Sequence, residues 1–383
     1  MNVRDLLIAL VRNAIKGEAI DKSILKKFLN AEKLAILYKI SKKHDIAHIV
    51  AYSLEQIGFS LEGESWELFL KEKEQACLRY EMIQADILEI CDFFESESID
   101  YIPLKGAVIR EYYPEPWMRT SCDIDILVRE EDIDRAVHAL VEKCAYKTNY
   151  KKTYHDVSLY SPFGMHLELH YNIKENEPKY DGLLTQVWNF SSKEKCNRYI
   201  QSKDFLLFHM IAHAAYHFTR GGCGMRSVID LWLLNEKEDF DREALLELLS
   251  KAELVKFYQA IILLGEYWFD GKSSCDQTVL ELEKYILLGG VYGTAQQGTV
   301  VGQIKKGGKF KYFWSRIFMS YESLSVLYPV IKRHKILTPF CQMARWFSVI
   351  FKRKRITREI KRATGTDHEQ IEKTKKLLDE LGL

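Results

Sequence analysis

The chain has 383 residues, 47% of them hydrophobic and 28% charged, with a formal net charge of +1. That balance excludes a largely disordered or fibrous protein, and the length predicts two or three structural units. Eight cysteines, at 77, 91, 122, 144, 196, 223, 275 and 341, form no C-x-x-C pair and no Cys/His cluster at zinc-finger spacing, so they read as free, mostly buried thiols of a reducing compartment.

Apolar residues at 6, 7, 10, 11, 14 and 15 predict an amphipathic helix within the first 17 residues. Asp5 and Arg12 interrupt the unbroken apolar stretch that a signal peptide needs, and no later stretch reaches the ~18 consecutive apolar residues of a spanning helix, so a cytoplasmic location is expected. Residues 1 to about 96 read as helices throughout. The last, from Trp66 to Glu95, carries Met82, Ile83, Ile87, Leu88, Ile90, Cys91 and Phe94 on a broad apolar face expected to pack on a following domain.

From Tyr101 short apolar runs alternate with helical ones. Tyr101–Leu104 predicts a strand, Gly106–Tyr112 a short helix, Asp123–Val128 a strand and Glu131–Cys144 a helix with Ile133, Ala136, Val137, Leu140 and Val141 inward. Two more strands, His155–Tyr160 and Met165–Tyr171, flank the turn composition Ser161-Pro162-Phe163-Gly164. This order predicts an α+β fold with a small mixed sheet covered by helices. After Lys174 helical spacing returns: Asp204–Phe218, ended by Gly221-Gly222-Cys223-Gly224, then helices near 226–235, 241–252, 255–268 and 277–288. A Gly-rich basic connector, Gly289–Lys311, leads into aromatic and basic helices. Sixteen Lys or Arg fall between Lys305 and Arg362 against Glu322 and Glu359, so this end is expected to be a solvated basic tail that also suits a polyanionic partner. The expected division is 1–96, helical; 97–175, catalytic core; 176–300, helical; and 301–383, basic aromatic tail.

The chemistry concentrates in Asp123-Ile124-Asp125-Ile126-Leu127-Val128. On a strand, residues two apart share a face, so both carboxylates project together while Ile124 and Ile126 face the core. Two like charges so close repel unless a cation holds them, which points to Mg²⁺ or Mn²⁺, ions that take oxygen ligands. Glu168, in the alternating run His166-Leu167-Glu168-Leu169-His170, offers a third carboxylate from a later strand, with His166 and His170 on its own face. Such a set suits two-metal phosphoryl transfer. Upstream, Lys105 and Gly106 join a strand to a helix, where a glycine admits phosphate to backbone amides and a lysine adds positive charge. Arg119 precedes the carboxylate strand, placed either to grip a triphosphate or to hold the carboxylates by a salt bridge. His209, His213 and His217 form one helical stripe, read first as structural and second as an auxiliary site; Asp230 follows Arg226 at the spacing of a helix-stabilising pair.

These residues resemble the uncharacterised bacterial nucleotidyltransferases of the polymerase-beta superfamily, which share an LKG…R…DiDlLV pattern. Here it reads Leu104-Lys105-Gly106, Arg119, Asp123 to Val128 and then the Glu168-Leu169-His170 strand. Gly290-Val291-Tyr292-Gly293, Tyr328 to Lys332, and Leu337 to Pro339 before Arg345 extend the likeness. The resemblance implies that Asp123 and Asp125 bind two metal ions, that Glu168 completes the acceptor-side ion and helps deprotonate an acceptor hydroxyl, and that Lys105 and Gly106 hold the phosphates of a nucleoside triphosphate. It leaves the acceptor open among a small molecule, a peptide, a protein and an RNA. The wider superfamily usually has Gly-Ser at the phosphate turn, where this chain has Gly106-Ala107. The alternatives are a non-catalytic module that keeps the fold to bind a nucleotide or an RNA, and an enzyme acting on nucleic-acid ends.

Overall fold

The first helix follows directly from its caps and spacing. Val3–Lys16 (α1) starts where the Asn2 side chain accepts from the backbone N–H groups of Arg4 and Asp5 while Asp5 accepts from the Asn2 N–H, and it ends at Gly17 in the left-handed region. The computed structural model describes residues 2–60, 63–149, 152–272, 276–291, 293–350 and 365–383. Lys22–Phe28 (α2), Ala31–Lys43 (α3), Ala47–Gln56 (α4) and the 33-residue Glu64–Ser96 (α5) complete the N-terminal region.

Then come Tyr101–Pro103 (β1), Gly106–Ile109 (α6), Asp123–Val128 (β2), Ile133–Lys143 (α7), Asp156–Tyr160 (β3), His166–His170 (β4), Pro178–Leu184 (α8), Ser191–Lys195 (β5) and Arg198–Gln201 (β6). The six strands form one sheet in the order β3-β4-β2-β1-β6-β5. β2 runs parallel to β4, β1 antiparallel to β2 and parallel to β6, and the two hairpins β3–β4 and β5–β6 are antiparallel. The mixed sheet with helical flanks is the expected fold class. The sheet does not end at residue 175, however: β5 and β6 complete it from within the stretch expected to be helical. Their sequences, Ser191-Ser192-Lys193-Glu194-Lys195 and Arg198-Tyr199-Ile200-Gln201, lack apolar alternation because they are short and lie at the sheet's exposed end, where neither face is deeply buried.

The sheet has two unlike faces. Ile124, Ile126 and Val128 of β2 and Leu167 and Leu169 of β4 join Ile83, Ile90 and Phe94 of α5 and Ile133, Val137 and Leu140 of α7 in one apolar core. Met82 and Leu88, expected on the packed face of α5, are exposed, as is Val141 of α7. The seven apolar positions of α5 span more of the helix circumference than a sheet covers: Ile83, Ile90 and Phe94 are buried against it, Ile87 and Cys91 pack at its margin, and Met82 and Leu88 fall outside. The other face, with Leu127, looks toward the larger core of the helical region.

That region comprises Lys203–Phe218 (α9), Met225–Lys237 (α10), Arg242–Lys251 (α11), Val255–Phe269 (α12), Gln277–Leu288 (α13) and Ala295–Lys305 (α14). Lys309–Ile317 (α15), Tyr321–Leu327 (α16), Val330–Arg333 (α17) and Thr338–Ile350 (α18) follow, and His368–Leu381 (α19) closes the chain. α19 is not part of a loose tail. Leu377, Leu378 and Leu381 are buried in the larger core, so the chain end returns to α12, α13 and α14. The loops after α9 and α13 meet backbone to backbone: Gly293 has φ +69°, and a Cβ there would fall 1.6 Å from the carbonyl oxygen of Gly221. Tyr292, in the expected Gly290–Gly293 motif, lies outside the described residues. Of the cysteines described, only Cys223 is buried; Cys122 and Cys196 are exposed and the rest half-buried, none in a disulfide. Cys275 lies outside the described residues. No helix among the described residues is long and apolar enough to cross a membrane.

Candidate active site

Strand register sets the site. β2 and β4 pair in parallel with Asp123 opposite His166, Asp125 opposite Glu168 and Leu127 opposite His170, so the odd residues of β2 and the even residues of β4 share the face turned to the helical region. Asp125, Glu168 and His170 each offer a ligand atom within 4.8 Å of the others. Asp125 is buried. Its Oδ1 accepts from Lys105 Nζ at 3.1 Å and from His170 Nε2 at 2.9 Å, and His170 Nε2 lies 3.7 Å from Glu168 Oε2. Since a carboxylate only accepts, Nε2 of His170 carries the proton. Its buried Nδ1 has no partner among the described residues, and its ring stacks on His155 at 5.3 Å. The structure therefore groups Asp125 and Glu168 with His170, while Asp123 stands at the start of β2, half-exposed and outside that close set.

Burial opposes charge on Asp125, but the Lys105 ammonium and the His170 hydrogen bond outweigh it and hold the carboxyl well below its ordinary range. The neighbours behave oppositely. Burial and then the Asp125 charge push both Asp123 and Glu168 upward. Three carboxylates thus compete for one cationic side chain. A hard divalent cation fits this donor set, because it would relieve the crowding that raises Asp123 and Glu168.

The turn before α6 puts its strain on Lys105 rather than on Gly106. Lys105 has φ 42° and ψ −113°, an uncommon conformation for a side-chain-bearing residue, and it aims the ammonium at Asp125. Gly106 lets the turn pack closely: a Cβ there would sit 3.3 Å from Cβ of Ser121, a tight contact that the serine would have to yield to. Arg110, fully buried, fastens this turn by donating from Nε to the Gly106 carbonyl at 2.7 Å and from Nη2 to Ser121 Oγ at 3.3 Å.

The sequence profile of a family described as uncharacterised nucleotidyltransferase matches residues 30–270. The chain belongs to this nucleotidyltransferase family. No curated protein and no solved structure matches the chain. The matched span holds Lys105, Gly106, Arg119, Asp123, Asp125 and Glu168, whereas the late motifs at 290–293, 328–332 and 337–345 lie beyond it.

Arg119 turns toward α10. Its Nε donates to both carboxylate oxygens of Asp230, at 2.8 and 2.9 Å, and Nη1 donates to the Thr120 carbonyl at 2.6 Å. Tyr113 also donates to Asp230, at 2.7 Å, while Arg226 pairs with Asp45 at 2.7 Å. The expected pairing of Asp230 with Arg226 along α10 gives way to these longer-range partners, because both side chains point off the helix into the junction with residues 113–120. The carboxylate that Arg119 holds is Asp230, on a different element from the metal-type cluster.

The histidine stripe on α9 reaches the Asp125 cluster through Glu175, a residue that carries no motif of its own. His213 Nδ1 donates to Glu175 Oε1 at 2.6 Å, leaving its Nε2 to accept from His217 Nε2 at 3.2 Å. Burial raises Glu175, yet His213 and Lys105 bring it down to about 2. Burial first, then Lys105, holds His209 at about 3; burial, then His213, does the same for His217. Lys105, His155, His170, Glu175 and His209 line one recess, so β4, the turn before α6 and α9 converge on it. Glu175 has no local signature, since it acts from an irregular segment five residues beyond the strand.

Proposed function

We propose that the protein transfers a nucleoside monophosphate from a nucleoside triphosphate to an acceptor hydroxyl or phosphate and releases pyrophosphate. The observation that carries this reading is the side-by-side register of Asp125 and Glu168 on parallel strands, with His170 behind them and Lys105 in front. Asp123, Asp125 and Glu168 are the residues that would hold Mg²⁺ or Mn²⁺, two ions in the expected arrangement. Bound there, the ions supply charge neutralisation for the triphosphate and a more acidic acceptor hydroxyl.

The chain's own groups divide the remaining work. His170 fixes the orientation of Asp125 through its Nε2 proton. Lys105, released from Asp125, meets the phosphates as a positive charge on a strained turn that points it inward. Glu168 accepts the proton of the acceptor hydroxyl; the acceptor oxygen bonds to the α-phosphorus as the bond to the bridging oxygen breaks, and pyrophosphate leaves with that electron pair. Arg119 belongs to the scaffold in this reading, holding the loop before β2 to α10.

Calorimetric titration with ATP, GTP, CTP and UTP in the presence of Mg²⁺ tests the proposal. At least one nucleotide should bind the wild type, and Asp123→Asn and Asp125→Asn should each weaken it by about tenfold or more, as loss of a charged contact does. Equally poor binding of every nucleotide by wild type and variants overturns it. Incubation with labelled triphosphates and cell extract then identifies the acceptor by the labelled product.

A further inference from the structure

The stretch from Lys305 to Ile350 carries nine Lys or Arg and one acidic residue, Glu322. None of its described residues belongs to either apolar core of the protein. Within it α15 buries none of its nine residues, Lys309-Phe310-Lys311-Tyr312-Phe313-Trp314-Ser315-Arg316-Ile317. Phe310, Trp314 and Phe318 recur every four residues, are 72%, 43% and 48% exposed, and touch ring to ring at 5.8 and 5.1 Å. Phe340 and Phe347 of α18 are 66% and 60% exposed.

This arrangement is held in place from behind. Tyr312, on the opposite side of α15, packs so closely on Gly302 of α14 that a Cβ there would lie 2.5 Å from its ring. Gln342, Arg345 and Trp346 of α18 all donate to the Ile317 carbonyl, at 2.7–2.9 Å. The inner faces are thus fastened while a row of rings is left outside, and Lys306, Lys311, Lys332, Arg333 and Lys335 of the same stretch are exposed as well.

We propose that this lobe docks the protein on an anionic lipid surface, with the α15 and α18 rings entering the head-group region and the exposed cations of the same stretch meeting the lipid phosphates. Rings plus cations would also suit single-stranded nucleic acid, but two observations favour lipid. The exposed set includes aliphatic side chains, Leu327, Val330 and Ile336, which offer no platform for a base and gain by leaving water for the acyl boundary. Trp314 and Phe318 stack on each other with planes 20° apart, which leaves no gap for a base between them. The lobe lies on the surface, since no described helix is long and apolar enough to span it. Docking of this kind is independent of the chemistry at Asp125.

Sedimentation of the full-length protein with phosphatidylcholine–phosphatidylglycerol vesicles and with phosphatidylcholine vesicles tests it, with single-stranded RNA retention and sedimentation equilibrium in parallel. The anionic vesicles should carry the protein down and the neutral ones much less. Phe310→Ala combined with Phe347→Ala should lower the partition by about tenfold or more, and Lys311→Glu combined with Lys332→Glu should lower it on anionic vesicles alone. These side chains are exposed, so unchanged thermal unfolding of the variants is expected and confirms that they fold. Absence of vesicle binding, equal binding by the aromatic variant, retention of RNA without vesicle binding, or a dimer dispersed by the same aromatic substitutions each overturns the proposal.

Discussion

Two charged clusters lie within the matched span of the chain, and they are built from similar residues to opposite ends. Around Asp230, Arg119 Nε donates to both carboxylate oxygens and Tyr113 donates to one of them, so one anion is met by a guanidinium and a hydroxyl. Around Asp125, the Lys105 ammonium and the His170 proton both go to Asp125 itself, and the neighbouring carboxyls of Asp123 and Glu168 are pushed upward by burial and by its charge. The first cluster is closed and needs nothing further. The second carries an excess of negative charge that its own residues do not neutralise, and that excess distinguishes a site from a scaffold better than the presence of charge does.

The comparison breaks most sharply at Arg119. Arg119→Ala strands the Asp230 carboxylate in the interior and should cost about 3–5 kcal/mol of stability, read as a lowered midpoint of chemical or thermal unfolding. An unchanged midpoint would mean that the Asp230 cluster is not the closed scaffold described here. Next in size is the response to cations. Mg²⁺ or Mn²⁺ at about a hundred times its dissociation constant should stabilise the wild type by about 2.7 kcal/mol, reversed by EDTA and diminished in Glu168→Gln. The Asp230 cluster should be indifferent, so the same increment is expected in a conservative Tyr113→Phe variant.

The smallest effect concerns acid. His44 and His209 are buried and His217 is half-buried, and the three are held by desolvation at about 4, 3 and 3, below the ordinary 6.5. A histidine with a depressed folded pKa leaves the unfolded chain binding more protons, so its contribution is complete above about pH 6.5 and is lost as the pH falls toward the folded values. Each should remove on the order of 1 kcal/mol over the first pH unit below 6.5, and His209→Gln should flatten the fall of the unfolding midpoint in that window.

The legible parts of the molecule were those whose signal is local and periodic. The Asp123–Val128 strand, the β3–β4 hairpin and the helices from 203 to 288 declare themselves by alternation or by helical spacing, because each has one face on a core. β5 and β6 were hidden because both are short and neither face of them is deeply buried, so nothing there demands apolar alternation. The site divided in the same way. Asp125 and Glu168 could be paired from two alternating runs, since a parallel register brings them together. Arg119 could not be assigned, because its partner lies 111 residues away on α10, and Glu175 could not be found, because its partner His213 is 38 residues on. The return of α19 to the core was masked by the basic segment that precedes it, which sets the composition of the whole chain end.

The meeting of Gly221 with Gly293 has a bearing on how mutational data for this protein should be read. Any side chain at 293 would collide with the opposite main chain, whatever its polarity, and no neighbouring rotamer can make way. A loss-of-function screen would therefore score Gly293 as severely as Asp125 although it takes no part in the chemistry proposed at Asp125. Soluble yield and protease resistance would separate the two, falling for the glycine and holding for an isosteric change at the aspartate.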